Sequence, residues 1–301
     1  MNGRSLLRSK DGRPHLVWMW LLGFAIYALW VWGTDVIFLH TLGRIQDLAH
    51  EGVLFQTPMW EVFETHGWAP LASIVESIGL ILIFTWLDHR LRLHDHHMKF
   101  SHRICTRWFA VGFLSALAGI GLCLLTDSLR LEHPFSMPRF TLSTLFAIPE
   151  IFLATRAGEV FMMDYLYDGA RLHIPRPAAL MLLIAVEFIA DAGWKLSWIG
   201  MINLILQVTV VTELHERYGL AAAAGLWFGW DYVLSALMVI EGEGVWSLYR
   251  VSDAWLTGGH HGLFEGAWMT VVILGVMAYL WLKAHRKKDA EDMNRAPRAG
   301  A

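Results

Sequence analysis

Apolar residues along this chain gather into windows of about 20 positions with few charges. That is the length an α-helix rising 1.5 Å per residue needs to cross a hydrocarbon core about 30 Å thick. Eight such windows run from His15 to Gly33, Ala69 to Leu87, Trp108 to Thr126, Leu142 to Leu166, Pro177 to Trp194, Trp198 to Leu214, Gly219 to Ile240 and Ala267 to Lys283. Arg156, Glu159 and Asp164 interrupt the fourth. The pattern predicts an all-α fold, a polytopic transmembrane helix bundle of about eight helices.

Composition points the same way. Of 301 residues, 55% are hydrophobic and only 17% are charged, against about 25% in an ordinary soluble domain. A disordered, collagenous or disulfide-rich secreted chain is excluded, and the expected surroundings are a lipid bilayer. The net charge of -3 is unremarkable in sum but uneven in place. With eight alternating helices and an inner N-terminus, 19 of the 24 Lys and Arg fall on the inner side, leaving Arg44, Arg130, Arg139, Lys195 and Arg250 outside. The positive-inside bias then puts both termini in the cytoplasm, and no nucleic-acid partner is expected. The first window holds about 19 apolar residues, longer than a signal-peptide core of about 7 to 15, so it reads as a retained helix.

These features divide the chain into a basic N-terminus (1–14), a three-helix region (15–141), a membrane domain (142–285) and a charged tail (286–301). Within the second region, Thr34 to Trp68 suits an amphipathic helix on the outer surface, and His89 to His102 forms a His-rich inner loop. Trp18, Trp20, Trp30 and Trp32 read as an interfacial belt. Cys105 and Cys123 would stand about 27 Å apart on one helix, so two reduced thiols are expected.

The informative residues are the polar ones inside apolar windows, because a carboxylate near the bilayer centre is costly unless it faces protein or a water-filled cavity. Glu76, Glu150, Glu159, Asp164, Glu187, Asp191 and Asp231 are of this kind, and Asn203 and Gln207 add uncharged groups. Glu187 and Asp191 share one helix face at i, i+4, as do Asn203 and Gln207, and Trp227 and Asp231. Four polar faces on four consecutive windows can line one cavity. The candidate site residues are therefore Glu159, Glu187, Asp191, Asn203, Trp227 and Asp231, set against the alternative that each is polar glue between helices.

The stretch Tyr218-Gly219-Leu220, then Gly225-Leu226-Trp227-Phe228-Gly229-Trp230-Asp231, together with Leu256-Thr257-Gly258-Gly259 and Glu265-Gly266, resembles the CAAX-protease and bacteriocin-processing (CPBP) family of membrane proteins. Upstream, Gly158-Glu159 followed by Met163 falls where that family has Glu-Glu-x-x-x-Arg. The resemblance covers roughly residues 142–285. It implies an intramembrane endopeptidase-like site in which a glutamate activates water and neighbouring groups hold the oxyanion. Where the family has paired glutamates, arginine and two motif histidines, this chain has Gly158-Glu159, Met163, no histidine between His173 and His215, and Trp227-x-x-x-Asp231.

Three readings follow: an intramembrane peptidase centred on Glu159, a non-proteolytic membrane binding or scaffold protein, and an enzyme using the same cavity for other acid/base or metal-assisted chemistry. Substrate or partner would be a peptide or a membrane-embedded molecule. His89, His94, His96, His97 and His102 fit the spacing of a di-iron site only in part, and His260 and His261 fall on the opposite side, so no metal or cofactor is assigned. His260 or His261 could replace a motif imidazole if its loop folds into the cavity. His215 reads as an interfacial loop residue. A bacterial cytoplasmic membrane is the expected location.

Overall fold

A computed structural model describes residues 15–50, 68–91, 100–132, 142–190, 196–240, 245–258 and 262–295. Its long helices are α1 (Leu16–His50), α2 (Trp68–Leu91), α3 (His102–Leu125), α4 (Leu142–Glu159), α6 (Arg176–Ala190), α7 (Trp198–Tyr218), α8 (Leu220–Tyr232) and α10 (Ala267–Arg295). Single turns, α5 (Asp168–Arg171) and α9 (Ala254–Thr257), lie between them. Among the described residues, six stretches are long and apolar enough to cross a membrane: Leu16–Phe38, Pro70–Leu91, His102–Leu125, Trp198–Tyr218, Leu220–Leu237 and Ala267–His285. The protein is a helical membrane protein. The other two expected windows are helical as well. One is α4, which continues through a π-helix (Val160–Tyr167) into α5, and the other is α6, with 15 residues.

Local chemistry sets the helix ends. Ser101 caps α3, its hydroxyl accepting from the Ile104 amide at 3.4 Å. At the far end Ser128 N donates to the Cys123 carbonyl at 2.8 Å and Asp127 N to that of Leu124 at 3.2 Å, a Schellman stop with Asp127 in the left-handed region at φ 54°. Ser197 caps α7 by accepting from the Gly200 amide at 3.0 Å. Gly219, at φ 81°, stops α7 and α8 begins at the next residue, so a single position turns this helical hairpin.

Helix α8 crosses α3 with the two backbones in close approach. A Cβ at Gly225 would lie 2.4 Å from the Cys105 carbonyl oxygen, and one at Gly229 would lie 2.4 Å from that of Phe109. This is the small-xxx-small contact by which helices associate where lipid removes any hydrophobic drive between them. Trp230 Nε1 locks the crossing by donating to Ser115 Oγ at 2.8 Å. Cys105 and Cys123 are buried free thiols on α3.

Two expectations change. Residues Thr34 to His50, expected in a separate outer amphipathic helix, continue α1 without a break; residues 51–67 of that segment lie outside the described ones. The seventh window does not stay helical to Ile240. After a π turn (Val233–Leu237) the chain extends as β2 (Met238–Ile240), parallel to β3 (Trp246–Arg250), which pairs on its other side antiparallel with β1 (Leu129–Leu131). A short apolar run does not distinguish a helix end from a strand by period; here the β-branched Val239 and Ile240 find a partner strand that the local sequence does not reveal.

Side-chain ties group the helix ends. Arg176 at the start of α6 pairs with Glu213 and, at 2.8 Å, with Glu216 near the end of α7, while Tyr167 OH at the end of the π-helix donates to Glu216 at 2.5 Å. Lys283 sits over the rings of Trp108 and Tyr218, bringing the first turns of α3 and a late turn of α10 to the same end. The sheet, α9 and a 3₁₀ turn (Gly262–Glu265) belong to the other ends of these helices.

Candidate functional site

Four helices bring polar side chains to one cavity of about 880 Å³. Glu159 from α4, Glu187 from α6, Gln207 from α7, and Trp227 and Asp231 from one face of α8 all line it. Glu159 is the last α-helical residue before the eight-residue π-helix, a wider winding that often marks functional sites because it re-aims the side chains around it. Tyr165 anchors that winding by donating from its hydroxyl to the Met19 carbonyl at 2.7 Å.

Polar groups in this cavity are incompletely bonded. Glu159 is 5% exposed and Gln207 4%, yet Glu159 Oε2 and Gln207 Nε2 have no hydrogen-bond partner, nor has the buried Trp20 Nε1. Buried polar atoms are satisfied in the great majority of cases, so an acceptor and two donors without partners in residues that line one cavity call for an explanation. Thr155 Oγ1 lies 3.5 Å from Asp231 Oδ2, at the limit of a hydrogen bond. Glu187 and Asp231 stand near enough to Glu159 to act on it electrostatically.

The first helix supplies a wall that the sequence reading gives to the interface. Trp20, Phe24 and Tyr27 recur at i, i+4 and i+7 on α1 and line the cavity, and Tyr27 stacks on Phe161 with centroids 4.8 Å apart. Trp20 therefore is not a belt residue, and Trp30 turns inward to donate to the Glu76 carbonyl at 3.0 Å. Trp18 and Trp32 remain exposed, as a belt requires. The aromatic stripe on α1 was the available signal.

Asn203 is not among the lining residues. Its Nδ2 donates to the carbonyls of Phe264 at 2.7 Å and Gly266 at 3.0 Å, and its Oδ1 accepts from Thr270 Oγ1 at 2.6 Å. It thereby holds the 3₁₀ turn in place, and that turn presents Phe264 and the buried Glu265 to the cavity. Glu265 Oε1 accepts from the Ser197 amide at 3.4 Å. Gln207, on one of the four polar faces but not among the candidate site residues, and Glu265, which the sequence does not single out as a candidate, thus join the site. Asp191, His94, His96, His97, His260 and His261 lie outside the described residues.

A second cluster sits beside the first. Asp164 and Asp168, i and i+4 along the π-helix and its continuation, face His215 of α7, whose Nε2 is 2.7 Å from Asp168 and 3.9 Å from Asp164. His215 is 7% exposed, a buried member of this cluster rather than the loop residue expected. The three offer ligand atoms within 4.8 Å of one another, a donor set that could hold a metal ion.

Chemically, the main cavity offers carboxylates able to take or give protons, amide and indole donors, and aromatic faces. Among its described lining residues there is no Lys, Arg or His. Comparison of the chain with protein-family models, with curated proteins and with solved structures returns no match.

Proposed function

We propose that this protein is a CPBP-related protein of a bacterial cytoplasmic membrane in which a hydrolytic centre has become a binding cavity for a membrane-borne ligand. One observation carries the reading: Glu159 and Gln207, each with a buried side-chain atom that has no hydrogen-bond partner, line one cavity of about 880 Å³, within the size range of small-molecule sites. Further support comes from Trp227 and Asp231, which stand where the family has its histidine and asparagine and border the same space.

The route in is lateral. Phe24 and Ile189 line the cavity and are also exposed on the outer surface of the bundle. Phe24 lies 8 residues into the Leu16–Phe38 span, about 12 Å from its start at 1.5 Å per residue, which is hydrocarbon depth. A ligand entering there comes from the bilayer. Gly158 lines the cavity with nothing within 4 Å of an added Cβ, so a side chain at that position fills the space without displacing its neighbours. Native mass spectrometry of the full chain released from its own membrane is expected to show a bound small molecule that Gly158→Leu loses without a fall in melting temperature. Identical spectra for the two proteins would overturn the reading.

A peptidase reading draws on the same lining residues: Glu159 as general base, with the side-chain N–H groups of Gln207 and Trp20 as oxyanion donors. It requires cleavage of a membrane-embedded reporter peptide that Glu159→Gln abolishes. A rate equal to that of the variant sinks it.

A further inference from the structure

Resting on the binding reading, we propose that the group taken by the cavity is an organic cation, an ammonium or guanidinium carried on an aliphatic chain. The argument starts from charge. Glu159, Glu187, Asp231 and Glu265 put four carboxyl groups on the wall of one space, and the described lining residues include no cationic side chain. Carboxylates at hydrocarbon depth are tolerated when they face a cavity whose contents compensate them. An anionic ligand would add to the repulsion, and a neutral one would leave the field of the acids as it is. A cation lowers it, and a charged N–H donor makes a shorter and stronger bond to a carboxyl oxygen than a neutral donor does.

Aromatic faces complete the fit. Trp20 and Tyr27 stand on the α1 side, and Trp227 and Phe264 form a pair on the other, with ring centroids 5.7 Å apart. Ring faces carry negative potential and attract ammonium and guanidinium groups, most of all where water is excluded. Gln207 and Trp20, which line the same space, add an amide and an indole N–H without hydrogen-bond partners, groups that pair with a hydroxyl, carbonyl or ester oxygen. The exposed apolar residues at the mouth, Phe24 and Ile189, suit the hydrocarbon chain that carries the group. An aminolipid headgroup and a lysine or arginine of a membrane-spanning peptide share this chemistry.

The test uses the full chain in phosphatidylcholine nanodiscs and three dansyl-labelled dodecyl probes that end in an ammonium, an alcohol or a carboxylate. The ammonium probe is expected to bind saturably and about tenfold or more tighter than the alcohol, with the carboxylate weakest. Glu159→Gln should weaken the ammonium probe about tenfold while leaving the alcohol probe unchanged. Should that variant fail to fold, Glu187→Gln carries the same comparison. Competition by an aminolipid or by a lysine-bearing single-span peptide then tells the two carriers apart. Equal affinity for ammonium and alcohol, with both lost in Gly158→Leu, overturns the cationic assignment and leaves the binding cavity standing. Failure of all three probes overturns both.

Discussion

An amide inside a membrane protein is worth what its partners are worth, and Asn203 shows this at the scale of one residue. It is 1% exposed and spends both ends of its side chain on α10 and the turn before it. Asn203→Leu would strand the Phe264 carbonyl and the Thr270 hydroxyl, while the Gly266 carbonyl keeps the Met269 amide at 3.1 Å, at a cost of about 1–3 kcal/mol. The expected outcome is a lower melting temperature in detergent and faster amide exchange over residues 262–270. An unchanged exchange pattern would contradict the positioning role. Outside the bilayer, Arg130 bonds to the exposed Asp127 and holds its carboxyl below the ordinary carboxylate range. A carboxyl whose value is depressed on folding adds stability above its unfolded value, and that contribution is lost as pH falls through the folded one. Asp127→Asn, which still tolerates the left-handed backbone, should therefore cost a small amount of stability at neutral pH and nothing once wild type is protonated. Paired melts taken from pH 7 downward, in which the difference between the two proteins narrows as pH falls through the folded value, check it. Spacing told which of these residues share a helix face. It did not tell that Asn203 faces carbonyls while Gln207, one turn on, faces a cavity, because partners are a property of the neighbouring helix.

Two glycines illustrate how much an element's meaning depends on what it crosses. Gly229 sits in the α3–α8 contact, where a methyl group would lie 2.5 Å from the Phe113 nitrogen, so Gly229→Ala should destabilise by about 1–3 kcal/mol through overpacking. Gly158 is also helical but faces open cavity, so Gly158→Ala should stabilise by about 0.5–1 kcal/mol by lowering the entropy of the unfolded chain. Opposite shifts in one denaturation series are expected; shifts of the same sign would contradict the α8 crossing. The spans were legible in the sequence because lipid demands apolar runs of fixed length, and the i, i+4 face of Trp227 and Asp231 was legible because an α-helix repeats every 3.6 residues. Elements that depart from that repeat were not. The π-helix over Val160–Tyr167 and the strand at Met238–Ile240 arise from what each segment docks against. The aromatic stripe of α1 looked like an interfacial belt because a tryptophan near a helix end satisfies either demand, and only the packing of α1 beside Phe161 decides between them.

Across the whole molecule, the position of Glu159 in the bilayer depends on how many helices cross. If only the six longest apolar stretches do, residues 126–197 stay on one side, and the 24 Lys and Arg divide 16 to 8. If the α4–α5 segment and α6 also cross, they divide 19 to 5, the stronger positive-inside bias. The ion pairs favour the second arrangement: Arg176 and Tyr167 are tied to Glu216 at the end of α7, whereas Ser197 at its start bonds Glu265, so the chain between Tyr167 and Ser197 has gone from one end of α7 to the other. With the N-terminus inside, as the basic residues predict, both arrangements put Asp253 outside, but six crossings put Arg171 outside with it and eight put Arg171 inside. Asp253 and Arg171 are exposed, and both native thiols are buried, so single cysteines at these two positions report without interference. In intact cells a membrane-impermeant maleimide is expected to label Asp253→Cys and to reach Arg171→Cys only after permeabilisation. Labelling of both from outside would mean that the segment carrying Glu159 enters and leaves on one face, and the lateral route for a membrane-borne ligand would lose its footing.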